Sequence, residues 1–344
     1  MKKKPTFKKL RAIVLVHEDL VPPDSIQGLS QKEISPWKTE YDVISTLKKS
    51  GHEVVPVGLY DDLGVIQKAL EEVKPHIAFN LLEEFHGYSL FDQHVVSYLE
   101  LRKQKYTGCN PRGLTLAHDK ALAKKILAYH RILTPRFAVF SINRKVKRPK
   151  WLQFPLLVKS LSEEGSVAIS RASLVYDDEK LEERVEFVHR QTTTHAIAEE
   201  YIEGRELYVA VLGNERLQAF TPWELFVSKL PDGAPLIATM KVKWDYTYQE
   251  KVGVTTKAAD LTPELTKQIL RLAKRCYRIL HLSGYARLDY RLKDDGSIYM
   301  LEANPNPNIS DGEDFAASAL TMGIDYEALM QKIMTLGLSY KPSF

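Results

Sequence analysis

The sequence predicts a multidomain protein that begins as an α/β domain and continues as α+β. Three observations carry this: a length of 344 residues, a βαβαβ pattern up to Leu82, and strand-pair patterns recurring beyond Phe154. A chain of this length exceeds one compact core and suggests two or three domains.

Hydrophobic residues make up 44% and charged residues 27%, as in an ordinary soluble globular protein. The two cysteines, Cys109 and Cys276, lie far apart, which excludes a disulfide framework and zinc-type spacing. No apolar run is long enough to span a bilayer and the N-terminus has no signal-like core, so a cytoplasmic enzyme is expected. The net charge is +4, with Lys2, Lys3, Lys4, Lys8 and Lys9 in the first ten residues, so the remainder is near neutral. Residues 1–10 are therefore expected to be a basic, disordered tail. Basic and aromatic residues do not interleave as RNA binding requires.

In chain order, Arg11–Val16 is a continuously apolar run, as expected of a strand buried on both faces. Ser35-Pro36 reads as a helix start, with Trp37, Tyr41, Ile44 and Leu47 as its apolar stripe and Gly51 as its stop. Strands at His52–Val57 and His76–Leu82 flank a helix at Asp61–Lys74, giving a small parallel sheet. No Gly-x-Gly-x-x-Gly occurs there, so nothing supports a dinucleotide site. His86 sits in a loop after the third strand, either a ligand-contacting position or a loop residue with no special role. A helix at Ser89–Gln104 and a short strand and turn at Tyr106–Gly108 follow.

Asp119–Arg131 reads as an amphipathic helix opening on Lys120. A lysine at a helix start is favoured when an anion sits there, and is otherwise a solvated surface cation. Thr134–Phe140 reads as a strand. Phe154–Ser170 reads as a hairpin whose first strand carries Lys159 and whose Gly/Ser turn, ending at Ser166, is able to fold backbone N–H groups over phosphates. A mobile surface hairpin is the plainer account. His195–Gly213 reads as strand, short turn, strand, carrying Glu199, Glu200, Glu203 and Glu206 as nucleotide ligands or as a solvated charge cluster. Pro231–Leu261, with Lys251, has the length of a lid loop. Pro263–Leu280 and Ser310–Leu336 are helical.

Between those helices, Tyr285–Leu292 and Ser297–Asn304 form a hairpin about Asp295-Gly296 taken as a two-residue turn. That register sets Asp289 opposite Glu302 and Arg287 opposite Asn304, all four on one face. Directly opposed carboxylates repel, and a divalent cation relieves them. Oxygen donors on a rigid scaffold suit Mg²⁺, with Arg287 beside it for a phosphoryl group. On this register Ile298 and Met300 share the acidic face and bury it. An ordinary solvent-facing charged strand pair is the alternative.

Taken together these stretches resemble the ATP-grasp superfamily, and within it the D-alanine–D-alanine ligase group, from about Arg11 to about Gly337. The markers are YTGCNP with HDK at 118–120, FPLLVK at 154–159, EEYIEGRELYV at 199–209, and ARLDYRL with MLEANPNP. The resemblance implies an ATP-grasp fold with an N-terminal parallel α/β domain (11–112), a central subdomain (113–200) and a C-terminal subdomain with the metal site (201–344). ATP would lie between two antiparallel sheets. By matching positions, Lys120, Lys159 and Lys251 look like lysines that contact the phosphates, beneath the turn that includes Ser166. Glu199 and the Ile202 backbone would hold adenine, and Glu206 the ribose. Asp289, Glu302 and Asn304 look like the ligands of Mg²⁺, or of Mn²⁺ in its place. Arg287 would be catalytic, the Asn308 N–H would help hold an oxyanion, and His86 would meet substrate.

The resemblance further implies an ADP-forming carboxylate–amine ligase working through an acyl phosphate, with the 231–261 lid excluding water. The expected partners are small carboxylate and amine substrates, with a homodimer as the assembly considered and neither nucleic acid nor membrane. The chain departs from the family at Tyr88–Asp92, at Gly165 and Val252, which replace a serine and a tyrosine, and at Asp311–Asp314, which replaces a serine segment. An acidic segment there repels a carboxylate and favours a cationic substrate. Two rivals follow: an ATP-grasp ligase with other amino acid, peptide or amine substrates, and a non-catalytic nucleotide-binding regulator.

Overall fold

The computed structural model describes residues 9–163, 168–229 and 235–342. Leu10, expected in the tail, is buried, and its carbonyl accepts from the Glu53 N–H at 2.9 Å. Strand β1 (Arg11–His17) is central to a three-stranded parallel sheet. Its alternation is complete: Ala12, Val14 and Val16 enter one core cluster, Ile13 and Leu15 another.

The first helix begins one turn earlier than Ser35. Helix α1 (Gln31–Ile34) is capped by Ser30 with Glu33 in a reciprocal capping box, and a 3-10 turn at Ser35–Trp37 carries the chain into α2 (Lys38–Lys49). Then come β2 (Glu53–Leu59), α3 (Leu63–Val73), β3 (Ile77–Asn80) and α4 (Asp92–Leu101). The sheet order is β2-β1-β3.

Within α2, Glu40 is buried, and burial pushes its carboxyl up to about 7. A carboxyl with a raised folded pKa binds more protons folded than unfolded between pH 4.5 and 7. Its contribution to stability therefore falls as pH rises through that window. Glu40→Gln is expected to raise stability at pH 8 by about 1–3 kcal/mol and to flatten the pH dependence between 4.5 and 7. Urea unfolding at pH 5 and pH 8 checks both.

Helices α5 (Pro111–His118) and α6 (Lys120–Tyr129) lead into a second sheet, with Asp119 capping α6. An antiparallel sheet follows: β4 (Phe137–Phe140), β5 (Leu156–Ser160), β6 (Leu174–Val175), α7 (Asp178–Thr192) and β7 (Ala196–Glu200), in strand order β4-β7-β5-β6. The strand expected at Val167–Ser170 is not formed by its described residues; β5 pairs instead with Leu174–Val175.

Strand β8 (Arg205–Leu212) follows β7 after four residues, yet the two lie in different sheets. The short link expected as a hairpin turn is the crossing between sheets. Strands β9 (Gln218–Ala219) and β10 (Trp223–Val227) join β8. The expected lid carries structure of its own: α8 (Met240–Trp244), α9 (Tyr246–Val252) and β11 (Val254–Ala258), an edge strand paired with β10. Thr239 and Asp245 cap these two helices. Helix α10 (Pro263–Ile279) then returns the chain to β12 (Tyr285–Leu292) and β13 (Ile298–Pro305), completing the order β11-β10-β8-β12-β13.

The chain closes with α11 (Asp314–Leu320) and α12 (Tyr326–Ser339). Their apolar residues share a core with β1, β3 and α2, so the C-terminus covers the N-terminal sheet. Gly337 permits that approach, since a Cβ there would lie 2.3 Å from the Tyr106 carbonyl oxygen. No helix among the described residues is long and apolar enough to cross a membrane.

Candidate active site

The β12–β13 hairpin sets Arg287 opposite Asn304 and Asp289 opposite Glu302, as expected, but by a different route. The turn has three residues, not two. Lys293 pairs with Ser297, the Gly296 N–H donates to the Lys293 carbonyl at 3.0 Å, and Gly296 takes φ +83°. A bulge beside Leu301 then adds one residue to β13 and restores the register at Glu302. Between the two shifts the faces exchange. Met300 pairs with Tyr290 and Ile298 with Leu292, all four in the hydrophobic core rather than on the acidic face.

Asp289 and Glu302 are also not left to repel each other. Arg287 grips Asp289 with two hydrogen bonds, Nε to Oδ1 at 2.8 Å and Nη2 to Oδ2 at 2.9 Å. The Asn304 amide donates to the same Oδ2 at 3.1 Å, and the Arg287 guanidinium lies 4.8 Å from the Tyr208 ring centroid. Burial works against the charged guanidinium, but Asp289 outweighs it and holds its pKa above the ordinary arginine value. Glu302 meets Lys159 at 3.6 Å across the cleft.

Lys159 extends this network into the central sheet. Its Nζ lies 3.2 Å from Glu199, whose other oxygen is 3.4 Å from Lys124. All three side chains are buried. Burial pushes the Lys124 ammonium down to about 8, with Glu199 opposing. For Lys159 burial acts the same way, but Glu199 and Glu302 together lift its pKa above the usual lysine value. Lys124 also donates to the carbonyl of Leu301, tying the β13 bulge to α6.

At the far end Glu206 is buried and doubly engaged. Tyr208 donates to Oε1 at 2.9 Å, and Arg291 Nη2 reaches Oε2 at 2.7 Å. Arg291 also donates to the carbonyls of Gly204 and Leu236, at 2.8 and 2.7 Å. Arg291, Lys124 and Leu301 were not singled out from the sequence. Strand alternation points to Arg291, two residues beyond Asp289; nothing local distinguishes Lys124 from its neighbour Lys125.

Lys159, Glu199, Ile202, Glu206, Arg291 and Glu302 line a cavity of ≈ 70 Å³ between the central and C-terminal sheets. That is smaller than the clefts of about 300 Å³ and more that hold drug-sized ligands. Lys120 is buried apart from this lining, and its Nζ donates to the Glu163 carbonyl at 2.6 Å, at the edge of the expected phosphate-covering turn. Ser166 and Gly165 lie outside the described residues. Lys251 is exposed on α9 and is not brought to the lining. Asn308 accepts through its side-chain oxygen from Thr39 at 3.1 Å and from the Ser310 hydroxyl at 2.7 Å, which joins the post-hairpin loop to α2. His86 is exposed in the N-terminal domain, 3.6 Å from Asp61.

Asp289, Glu302 and Asn304 present only oxygen donors, the chemistry a hard divalent cation takes. Each carboxylate oxygen has two lone pairs, so the hydrogen bonds to Asp289 leave acceptor capacity. Among the described residues no three His, Cys, Asp or Glu side chains converge to hold an ion on their own. A cation here would complete its shell from the amide, phosphates and water. The residues fit Mg²⁺ on those terms.

Residues 126–335 match the family described as D-ala D-ala ligase C-terminus. A D-alanine–D-alanine ligase of Nitratidesulfovibrio vulgaris is 30% identical over 314 residues, covering 88% of this chain and 96% of the relative. The chain belongs to the D-alanine–D-alanine ligase family. A solved D-alanine–D-alanine ligase of Bacillus anthracis, in complex with ATP, superposes with TM-score 0.73 at 24% identity, over 96% of this chain and 98% of that one. The VanG D-Ala:D-Ser ligase of Enterococcus faecalis gives 0.68 at 18% identity, over 96% and 100%. These structures share the ATP-grasp fold of this chain. Family membership favours an ATP-dependent ligase over a protein that only holds nucleotide.

Proposed function

We propose that the protein joins a carboxylate to an amine at the expense of ATP, in the manner of its ligase family. The observation that carries this is the continuous ion network from Glu199 through Lys159 to Glu302, with Arg287 and Asp289 beside it. It lines up cations where phosphates would lie and oxygen donors where an ion would sit.

In this reading ATP enters as the two sheets part, with its base against the 201–204 crossing and its ribose at Glu206. Lys120 and Lys159 hold phosphates, with Lys251 and Ser166 as the further contacts the family resemblance implies. Asp289, Glu302 and Asn304 hold Mg²⁺, which when bound would supply charge neutralisation at the transferred phosphoryl group. The substrate carboxylate attacks the γ-phosphate, and ADP leaves as an acyl phosphate forms. Arg287, fixed by Asp289, stabilises charge on the phosphoryl oxygens. The amine then adds to the carbonyl carbon, the Asn308 N–H receives the oxyanion, and phosphate is expelled as the amide forms. Closure keeps water from the acyl phosphate.

The test is phosphate release from ATP and Mg²⁺ by the full-length protein, across single and paired D- and L-amino acids and simple amines. Release with an amide product seen by mass spectrometry is the expected result. Tight ATP binding with no release for any pair would sink the ligase reading. A homodimer is proposed as the working assembly.

A further inference from the structure

The N-terminal sheet carries an exposed aromatic surface that the ATP chemistry does not use. Rings run in an unbroken chain across it. His17 meets Tyr60 edge-on at 5.6 Å, Tyr60 stacks on His86 at 5.9 Å, and His86 lies parallel to Tyr88 at 6.3 Å. Tyr88 then meets Phe91 at 5.0 Å. Tyr60 is 40% exposed, Tyr88 53% and Phe91 38%. His86 is held in place with φ +56°, its N–H donating to the Tyr60 carbonyl at 2.6 Å. Contiguous exposed rings of this kind mark a binding surface.

Its place in the fold is that of a ligand site. The rings stand on the last residue of β1 and on the segments that follow β2 and β3, at the C-terminal edge where open parallel sheets take ligands. The same loops reach the ATP-grasp half of the molecule. Ser89 lies 3.4 Å from Glu163, just beyond β5 and Lys159, and Glu83 is close enough to Tyr285, two residues before Arg287, to act on its hydroxyl.

The charge of this edge selects the occupant. Residues 17–30, 60–62 and 81–91 contain no lysine or arginine, in a chain whose net charge is +4. They carry Glu18, Asp19, Asp24, Asp61, Asp62, Glu83 and Glu84. Asp24 is answered by Lys48 at 3.3 Å and Asp62 caps α3, while among the described residues Asp19 and Glu84 face His17 and Asp61 faces His86, at 3.4–3.7 Å. Aromatic faces carry negative potential, and carboxylates at their rim add to it, so the complement is an organic cation.

We propose that this surface recognises a guanidinium or alkylammonium side chain on one of the two substrates. The proposal rests on the ligase reading for its biological context, but its test does not. The full-length protein, with ATP analogue and Mg²⁺ present, is titrated calorimetrically with arginine against citrulline and with lysine against norleucine, in both enantiomers. Each pair differs chiefly in the charge of the side chain.

At least one cationic member is expected to bind roughly tenfold more tightly than its neutral counterpart. Tyr88→Ala and Asp61→Asn are each expected to lower that binding severalfold while ATP affinity is unchanged. Equal binding within both pairs overturns the proposal, as does full affinity in the Tyr88→Ala protein. Phosphate release is scored separately. Selective binding of the cation with no release on any amine would support this surface and refute the ligase reading.

Discussion

Glu302→Gln is expected to reduce phosphate release by about 10²–10³-fold while leaving the fold intact. Both halves follow from the hairpin. Glutamine keeps the shape, and Asp289 opposite it stays held by Arg287 and the Asn304 amide, so the β12–β13 pairing survives the loss of the Glu302 charge. Lys159 keeps Glu199 at 3.2 Å and is not stranded. The charge that would complete an ion's shell is gone, and activity falls with it. Steady-state phosphate release and thermal unfolding on the same preparation decide the matter. Near-normal turnover in a folded Glu302→Gln protein would remove Glu302 from the proposed metal site.

Glu199→Ala is expected to act on stability first. Glu199 lies between two buried ammonium groups, 3.4 Å from Lys124 and 3.2 Å from Lys159. Among the described residues, removing it leaves Lys124 with the Leu301 carbonyl and Lys159 with Glu302. Breaking a buried pair this way costs about 3–5 kcal/mol. The loss also has a pH signature. Lys124, already held down at about 8, loses its opposing carboxylate and becomes harder to keep charged. A lysine whose folded pKa is depressed weighs against folding while protonated, and that burden lifts as pH rises. The destabilisation of Glu199→Ala should therefore be larger at pH 7 than at pH 9.5. Urea midpoints at the two pH values measure it, and a loss under 1 kcal/mol at both would show that the lysines do not depend on Glu199.

The sequence made the pairing of Asp289 with Glu302 legible because alternation and an Asp-Gly turn are local signals. It did not reveal that Gly296 closes a three-residue turn or that β13 carries a bulge, since neither interrupts the run of β-formers. The two offsets cancel at Glu302 but not at Met300 and Ile298, and those two residues were assigned the wrong face. The crossing after Glu200 was hidden for a related reason. Two strands four residues apart look like a hairpin until the sheets they join are known. Lys124 shows the third limit. On an amphipathic helix it resembles any surface lysine, and it is Glu199, brought to it by β7, together with the Leu301 carbonyl, that makes its burial tolerable.

The bulge beside Leu301 divides the hairpin into two mechanical parts. Beyond it, the tip at Lys293–Ser297 is a polar turn set by Gly296. The bulge itself is anchored from outside the hairpin, the Met300 N–H donating to the Leu133 carbonyl at 2.9 Å and Lys124 holding the Leu301 carbonyl, while Asp289 and Glu302 lie on its other side. A change in tip length is taken up where the strand already yields, before it reaches the carboxylates. Evolution is thus free to lengthen, shorten or redecorate that tip, as a handle for other molecules, without renegotiating the chemistry at its base.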